Sequence, residues 1–305
     1  GISVAKELGY SKSIALSTGN VGASIAAYSA RAGFTSVVVI PDNYRPGKLQ
    51  QIKLYGGNPV QIKTNSISDL MDLVIHSANH FRAINLATTS LYNAFTNHGA
   101  KTIVYELFEQ LGMDMPGLIV VPVGGAGLLC ALLQASLELK ELGLINDIPY
   151  FLAVQPEGCH PFIDALKQDL PPEEVYSNPW PEIKTEISAL ANDIPFDYSL
   201  FYSLKQQVST QKVMGTTVTD QEALMAQLEI SKKEGLFVEL ASATTYAALK
   251  KTMQASDLLQ KFKKVCLILT GTGMLDLDHA LEVKFSPPSF PVSVDFTRVL
   301  KDYFT

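Results

Sequence analysis

The sequence predicts an α/β protein of two lobes, each an open, twisted, mostly parallel sheet flanked by helices. Three observations carry that expectation. Strand-like and helix-like segments alternate along most of the chain, the pattern of a doubly wound sheet. Residues 118–123, Leu-Ile-Val-Val-Pro-Val, form an unbroken apolar run, as a strand covered on both faces requires. Two small-residue turns, Ser17-Thr18-Gly19-Asn20 and Gly124-Gly125-Ala126-Gly127, each follow such a run and open a helix.

The elements follow in order. Ile2, Val4, Ala5 and Leu8 give a helix over residues 1–8, closed by Gly9. Residues 13–16 read as a strand, 20–32 as a helix capped by Gly33, and 36–40 as a strand that stops at Pro41. A helix over 47–55 ends at Gly56-Gly57, and 60–63 is the next strand. Ser66, with Asp69 three residues on, caps a helix to Phe81. Residues 83–86 form a short strand, and 101–111 a helix closed by Gly112. After strand 118–123 a long helix runs to Leu142, then a strand over 150–155. The proline-bearing stretch 169–215 reads as loops and short helices. Helices follow over 220–234, capped by Thr219, and over 241–253, then a buried strand over 265–270. Pro287-Pro288 and Pro291 mark 286–305 as an arm. The expected organisation is a helix at 1–11 belonging to the large cofactor domain, a small mobile substrate-binding domain at 12–100, a large cofactor-binding domain at 101–285, and the C-terminal arm.

Composition narrows the function classes. Of 305 residues, 47% are apolar and 18% charged, enough for a sizeable core. The net charge is −6 and no Lys/Arg stripe occurs, which argues against nucleic-acid and anionic-membrane partners. No apolar run approaches the roughly 20 residues that span a bilayer. Cys130, Cys159 and Cys266 are scattered in apolar or strand-like contexts, so reduced, core-packed thiols in a cytoplasmic protein are expected. The histidines show no metal spacing beyond His76 and His80 at i and i+4, a helix-face pair with no third ligand nearby.

The two turns carry the functional expectation. A strand end followed by a small-residue turn and a helix start aims free N–H groups and the positive helix end at an anion. Either turn alone also fits ordinary chain reversal. Two in one chain point to one site for a phosphorylated cofactor and a carboxylate substrate, at the carboxyl ends of the strands.

With those turns stand further ordered pieces: Ala26 to Gly33, Gly47-Lys48-Leu49 through Tyr55-Gly56-Gly57, Gly99-Ala100-Lys101-Thr102, Val154-Gln155-Pro156-Glu157-Gly158, Glu234 to Ala243, and Leu269-Thr270-Gly271-Thr272-Gly273. In order and spacing the chain resembles the pyridoxal-phosphate enzymes of fold type II, the tryptophan synthase β-like group, and within it the threonine synthase branch. The resemblance implies pyridoxal 5'-phosphate as cofactor and elimination or replacement on a small amino acid. Cysteate- or cysteine synthase-like β-replacement, serine or threonine dehydration, and a non-catalytic metabolite- or partner-binding homologue are the alternatives. It assigns Asn20 to the cofactor's ring oxygen, Gly124, Gly125, Ala126 and Gly127 to its phosphate, and Thr270 to its pyridine nitrogen. Ser17, Thr18 and Gly19 would hold the substrate carboxylate. Glu239 and Ser242 match a helix start near the cofactor, where a capping role fits equally. The Schiff-base lysine is expected upstream of Gly1, because the family's lysine segment precedes the helix matching residues 1–8. Lys48 and Lys101 read as solvated or capping groups. A homodimer is expected by analogy.

Two positions depart from the branch. Thr96 stands where an arginine helps bind the substrate phosphate, and Gly125 stands where the phosphate loop carries an asparagine. Both departures put a phosphorylated substrate in doubt.

Overall fold

The computed structural model describes residues 1–17, 19–41, 46–63, 67–208, 210–255 and 261–275. The caps and turns expected at Thr18 and Ser66, and the C-terminal arm at 286–305, lie outside the described residues.

Among the described residues, eight strands form two four-stranded sheets, every strand pairing with its neighbours in parallel. The first contains β1 (Lys12–Leu16), β2 (Thr35–Pro41), β3 (Asn58–Ile62) and β4 (Ile84–Asn85) in the order β3-β2-β1-β4. The second contains β5 (Leu118–Pro122), β6 (Tyr150–Pro156), β7 (Val213–Val218) and β8 (Val265–Leu267) in the order β7-β6-β5-β8. The helices are α1 (Ile2–Glu7), α2 (Asn20–Ala32), α3 (Pro46–Leu54), α4 (Ile67–Phe81), α5 (Ala94–Ala100) and α6 (Thr102–Gln110), then α7 (Gly127–Glu141), α8 (Pro161–Gln168), α9 (Pro172–Ser177), α10 (Tyr198–Lys205), α11 (Asp220–Glu234) and α12 (Leu240–Ala255).

Side-chain alternation along each strand explains why helices cover both faces. In β2, Val38 and Ile40 pack with Ala23 and Ala26 of α2 and Ile52 of α3, while Val39 packs with Leu70 and Val74 of α4. In β5, Ile119 and Val121 face Leu129, Leu132 and Leu133 of α7. The intervening Leu118 and Val120 face Ala226 and Ile230 of α11 and Ala243 and Ala247 of α12. All five β5 residues are buried, as the unbroken apolar run requires.

Most expected elements are present, α2 with the stated bounds and Gly33 in the left-handed conformation as its C-cap. The differences have local causes. β3 begins at Asn58 rather than residue 60, taking in Pro59; β3 is an edge strand, where a missing N–H costs no ladder bond. β8 stops at Leu267, leaving Thr270 beyond the strand. β7 begins in the last residues of the stretch read as loops and short helices and continues beyond it. It too is an edge strand, and only its terminal residues are buried. α1 packs beside α2, with Ile2 against the cluster of Ala15, Ile25 and Leu86. It thus lies on the first sheet, whereas residues 1–11 were expected to belong with the second.

Candidate active site

Both expected turns lie where a parallel sheet offers its strand ends, at the carboxyl ends of β1 and β5. They line a single cleft of about 710 Å³. Ser17, Gly19, Asn20, Gly124, Gly125, Ala126, Gly127 and Thr270 all border it. Thr18 lies outside the described residues.

At the first turn, Ser17 is buried and its hydroxyl accepts the Gly22 N–H at 2.8 Å and the Gly19 N–H at 3.4 Å. The side chain expected at a substrate carboxylate thus also secures the first turn of α2. Gly19, the N-cap, supplies no side-chain bond there. Asn20 Nδ2 donates to Glu239 Oε2 at 2.8 Å, and its buried Oδ1 has no hydrogen-bond partner. Glu239 is buried at the start of α12, and its own N–H donates to the Gly271 carbonyl at 3.0 Å. Ser242 Oγ accepts the Gly271 N–H at 3.0 Å, so α12 fixes the backbone just after Thr270.

At the second turn, Ala126 is left-handed with φ of 73° and is the N-cap of α7, without a side-chain cap. The first-turn N–H groups of a fifteen-residue helix therefore open toward the cleft. A Cβ on Gly127 would stand 2.7 Å from both Asn97 Nδ2 and Asp197 Oδ2, so this close approach excludes any side chain. A Cβ on Gly125 would come within 3.3 Å of the Asn192 carboxamide and 3.8 Å of Phe196, a milder contact than at Gly127.

The sequence matches the family described as pyridoxal-phosphate dependent enzyme over residues 2–271. The chain belongs to that family. The threonine synthase of Methanocaldococcus jannaschii is 32% identical over 304 residues, which cover 99% of this chain and 72% of that one. The threonine synthase of Mycobacterium leprae is 34% identical over 286 residues, covering 93% and 73%. Among solved structures, an L-serine ammonia-lyase from Rhizomucor miehei superposes with a TM-score of 0.71 at 20% identity, covering 93% of this chain and 85% of that one. O-ureido-L-serine synthase superposes with a TM-score of 0.70 at 17% identity, covering 98% and 84%. At those identities the superpositions speak for the fold.

The cofactor of this pyridoxal-phosphate-dependent enzyme is pyridoxal 5'-phosphate, and the residues present fit it. The uncapped α7 end and the bare backbone at Gly125 suit a phosphate, and the orphaned, buried Asn20 Oδ1 marks a place where a polar group is wanted.

One residue of this cleft was not foreseen. Asp197 is 2% exposed, and its N–H donates to the Gly125 carbonyl at 2.8 Å. Its Oδ1 accepts the Ser90 N–H at 2.7 Å and the Thr89 hydroxyl at 3.2 Å, and its Oδ2 accepts from Asn97 Nδ2 at 3.1 Å. Burial pushes its carboxyl above the ordinary value, while the bonds from Ser90, Thr89 and Asn97 pull it down. An acid inside the apolar run Ile194-Pro195-Phe196-Asp197-Tyr198 was the available signal.

Thr96 does not line the cleft. Its N–H donates to Asn93 Oδ1 at 3.2 Å, capping α5, and its hydroxyl is buried without a partner. Cys130 and Cys159 are buried free thiols. Burial holds Cys130 well above its ordinary pKa and Cys159 up to about 11. Neither suits a nucleophile at neutral pH. Among the described residues, no group of three or more metal-ligating side chains converges, and no helix is long and apolar enough to cross a membrane.

Proposed function

We propose that the chain catalyses elimination or replacement at the side chain of a small amino acid, in the manner of the threonine synthases it is similar to. The observation that carries this reading is the convergence of two helix N-termini on one cleft, one beside Asn20 and one at Gly124 to Gly127. A cofactor phosphate and a substrate carboxylate each need such an end.

When bound, pyridoxal phosphate draws electrons from the substrate α carbon and makes its proton acidic. The N–H groups of Gly124, Gly125, Ala126 and Gly127 hold the phosphate. Asn20 holds the ring oxygen, with Glu239 fixing its carboxamide. Thr270 offers the pyridine nitrogen a neutral partner, which keeps the ring less electron-withdrawing than an aspartate would and favours elimination over amino transfer. The α2 N-terminus, with Ser17, Thr18 and Gly19, orients the substrate carboxylate. The enzyme is read as a cytoplasmic homodimer.

Steady-state assays on the full-length protein test this. Phosphohomoserine, O-acetylserine, serine and threonine are offered in turn while threonine, cysteine and keto-acid products are followed. Turnover of at least one, dependent on added pyridoxal phosphate, is expected. A protein that retains no cofactor and turns over none of them would overturn the reading.

A further inference from the structure

Residues 188–193, with Phe196 and Asp197, border the cleft and pack on the glycine turn. The Asp197 N–H donates to the Gly125 carbonyl at 2.8 Å, and the Ala189 carbonyl lies 3.1 Å from the place a Cβ on Gly124 would take. Asn192 brings a side-chain donor to the same turn. Its Nδ2 is 3.2 Å from the Cβ position of Gly124 and 3.3 Å from that of Gly125. The backbone behind this donor is fixed. The Asn192 N–H donates to the Leu190 carbonyl at 2.9 Å, the Asn192 carbonyl accepts the Cys159 thiol at 3.3 Å, and the Asp193 carbonyl accepts the Trp180 N–H at 2.8 Å. The charge around the turn makes such a donor matter. Among the described residues, Asp193, Asp197 and Glu239 border the cleft and no lysine, arginine or histidine does. An anion on the turn is therefore met there by neutral donors, which act strongly when fixed in advance and shielded from water.

We propose that Asn192 donates through Nδ2 to the phosphate seated on Gly124 to Gly127, adding a side-chain donor from a separate segment to the backbone donors of the turn. The inference rests on reading that turn as the seat of the cofactor phosphate. An N–H bonded to a charged acceptor is stronger than one bonded to a neutral group, so a single carboxamide contributes measurably to affinity. The placement also gives Gly124 and Gly125 a second reason to lack side chains, because a Cβ at either position crowds the Asn192 carboxamide. It further explains why an amide, not an acid, suits position 192. A carboxylate there would face the phosphate with like charge and no proton to donate.

Two measurements on the full-length protein test this. In the first, cofactor-free protein is titrated with pyridoxal 5'-phosphate and with pyridoxal, which lacks the phosphate. Asn192→Ala is expected to weaken pyridoxal phosphate about 10- to 100-fold, the loss of one hydrogen bond to a charged acceptor, and to leave pyridoxal within about twofold. Asn192→Asp, close in shape to the original, is expected to weaken the phosphate ester at least as much and again to spare pyridoxal. The second is a crystal structure of the wild-type holoenzyme, which needs no variant. It is expected to place a phosphate oxygen within about 3.2 Å of Asn192 Nδ2. Equal loss of both ligands marks a general structural effect and overturns the proposal, as does an unchanged affinity for pyridoxal phosphate in a folded variant. A phosphate seated on the turn with Asn192 out of reach overturns the proposal alone, whether or not the variants fold. A phosphate bound away from the turn, or failure to retain pyridoxal phosphate, overturns the reading beneath it and the proposal with it.

Discussion

Asn20 Nδ2 donates to Glu239 Oε2 at 2.8 Å, joining residues 219 positions apart. The bond ties the first turn of α2, beneath one sheet, to the start of α12, beneath the other. The side chain proposed for the cofactor ring is thus held by a buried carboxylate of the opposite lobe.

Asn20→Ala is expected to weaken pyridoxal-phosphate binding by about 1–3 kcal/mol, the cost of leaving buried polar groups without their partner. Thr270→Ala should keep more of the affinity and slow loss of the substrate α proton. Equilibrium titration with the cofactor and proton–deuterium exchange at the substrate α carbon separate the two effects. Unchanged affinity and exchange in both variants would place the ring elsewhere.

The glycine turn gives a paired prediction. Gly125→Val brings its Cβ within 3.3 Å of the Asn192 carboxamide, which can shift, and should cost about 1 kcal/mol of stability while blocking cofactor loading. Gly127→Ala forces its Cβ against Asn97 and Asp197, and should lose about 1–3 kcal/mol as an overpacked site does. Denaturant melts of both proteins, with cofactor content measured on the same samples, check the contrast. Normal cofactor occupancy in Gly125→Val would contradict the phosphate assignment.

At the far side of the second sheet, Thr219 and Glu222 form a capping box at α11. Glu222 N–H donates to Thr219 Oγ1 at 3.1 Å, and Thr219 N–H to Glu222 Oε2 at 2.7 Å. Thr219→Ala should cost about 1 kcal/mol, read as a lower denaturant midpoint at constant slope. Cofactor affinity should not change.

Glu229 supplies a pH-dependent term. Hydrogen bonds from Lys233, Lys250 and Tyr246 hold its carboxyl down at about 2. A depressed carboxylate stabilises the fold above its unfolded value of 4.5, and that contribution fades as pH falls toward about 2. The Tm difference between wild type and Glu229→Gln should therefore be largest near neutrality, shrink below pH 4.5 and diminish in high salt. A difference independent of pH would rule out the ion pairs as its source.

The parts of the fold legible in sequence are those where local signals and burial agree. β5 is apolar because both its faces are covered, and α2 runs between a small-residue turn and a left-handed glycine. β7 escaped notice because Val213–Val218 holds a glycine, two threonines and a methionine and lies at a sheet edge, where pairing rather than composition makes the strand. α5 escaped because Ala94–Ala100 includes Thr96, Asn97, His98 and Gly99, poor helix formers held by the Asn93 cap. α8 begins at Pro161, directly after a run that reads as a turn. In the site, the two turns that border the cleft were legible because a strand end followed by small residues and a helix start leaves a local signature, while Asn20 and Thr270 were singled out by the resemblance. Asp197 was not, since its donors come from a segment about a hundred residues away.

The two sheets close at different times as the chain is made. All four strands of the first lie within residues 12–85, whereas the second spans 118–267 and needs its last strand to flank β5. On the ribosome, the lobe bearing Asn20 has all its pairings available before β5 is translated, and domains generally fold in that order. Thr270 and the glycine turn on a paired β5 come only with the end of the fold. The proposed grip on the cofactor from both sides would therefore be a property of the finished polypeptide, with cofactor loading as the last step of maturation.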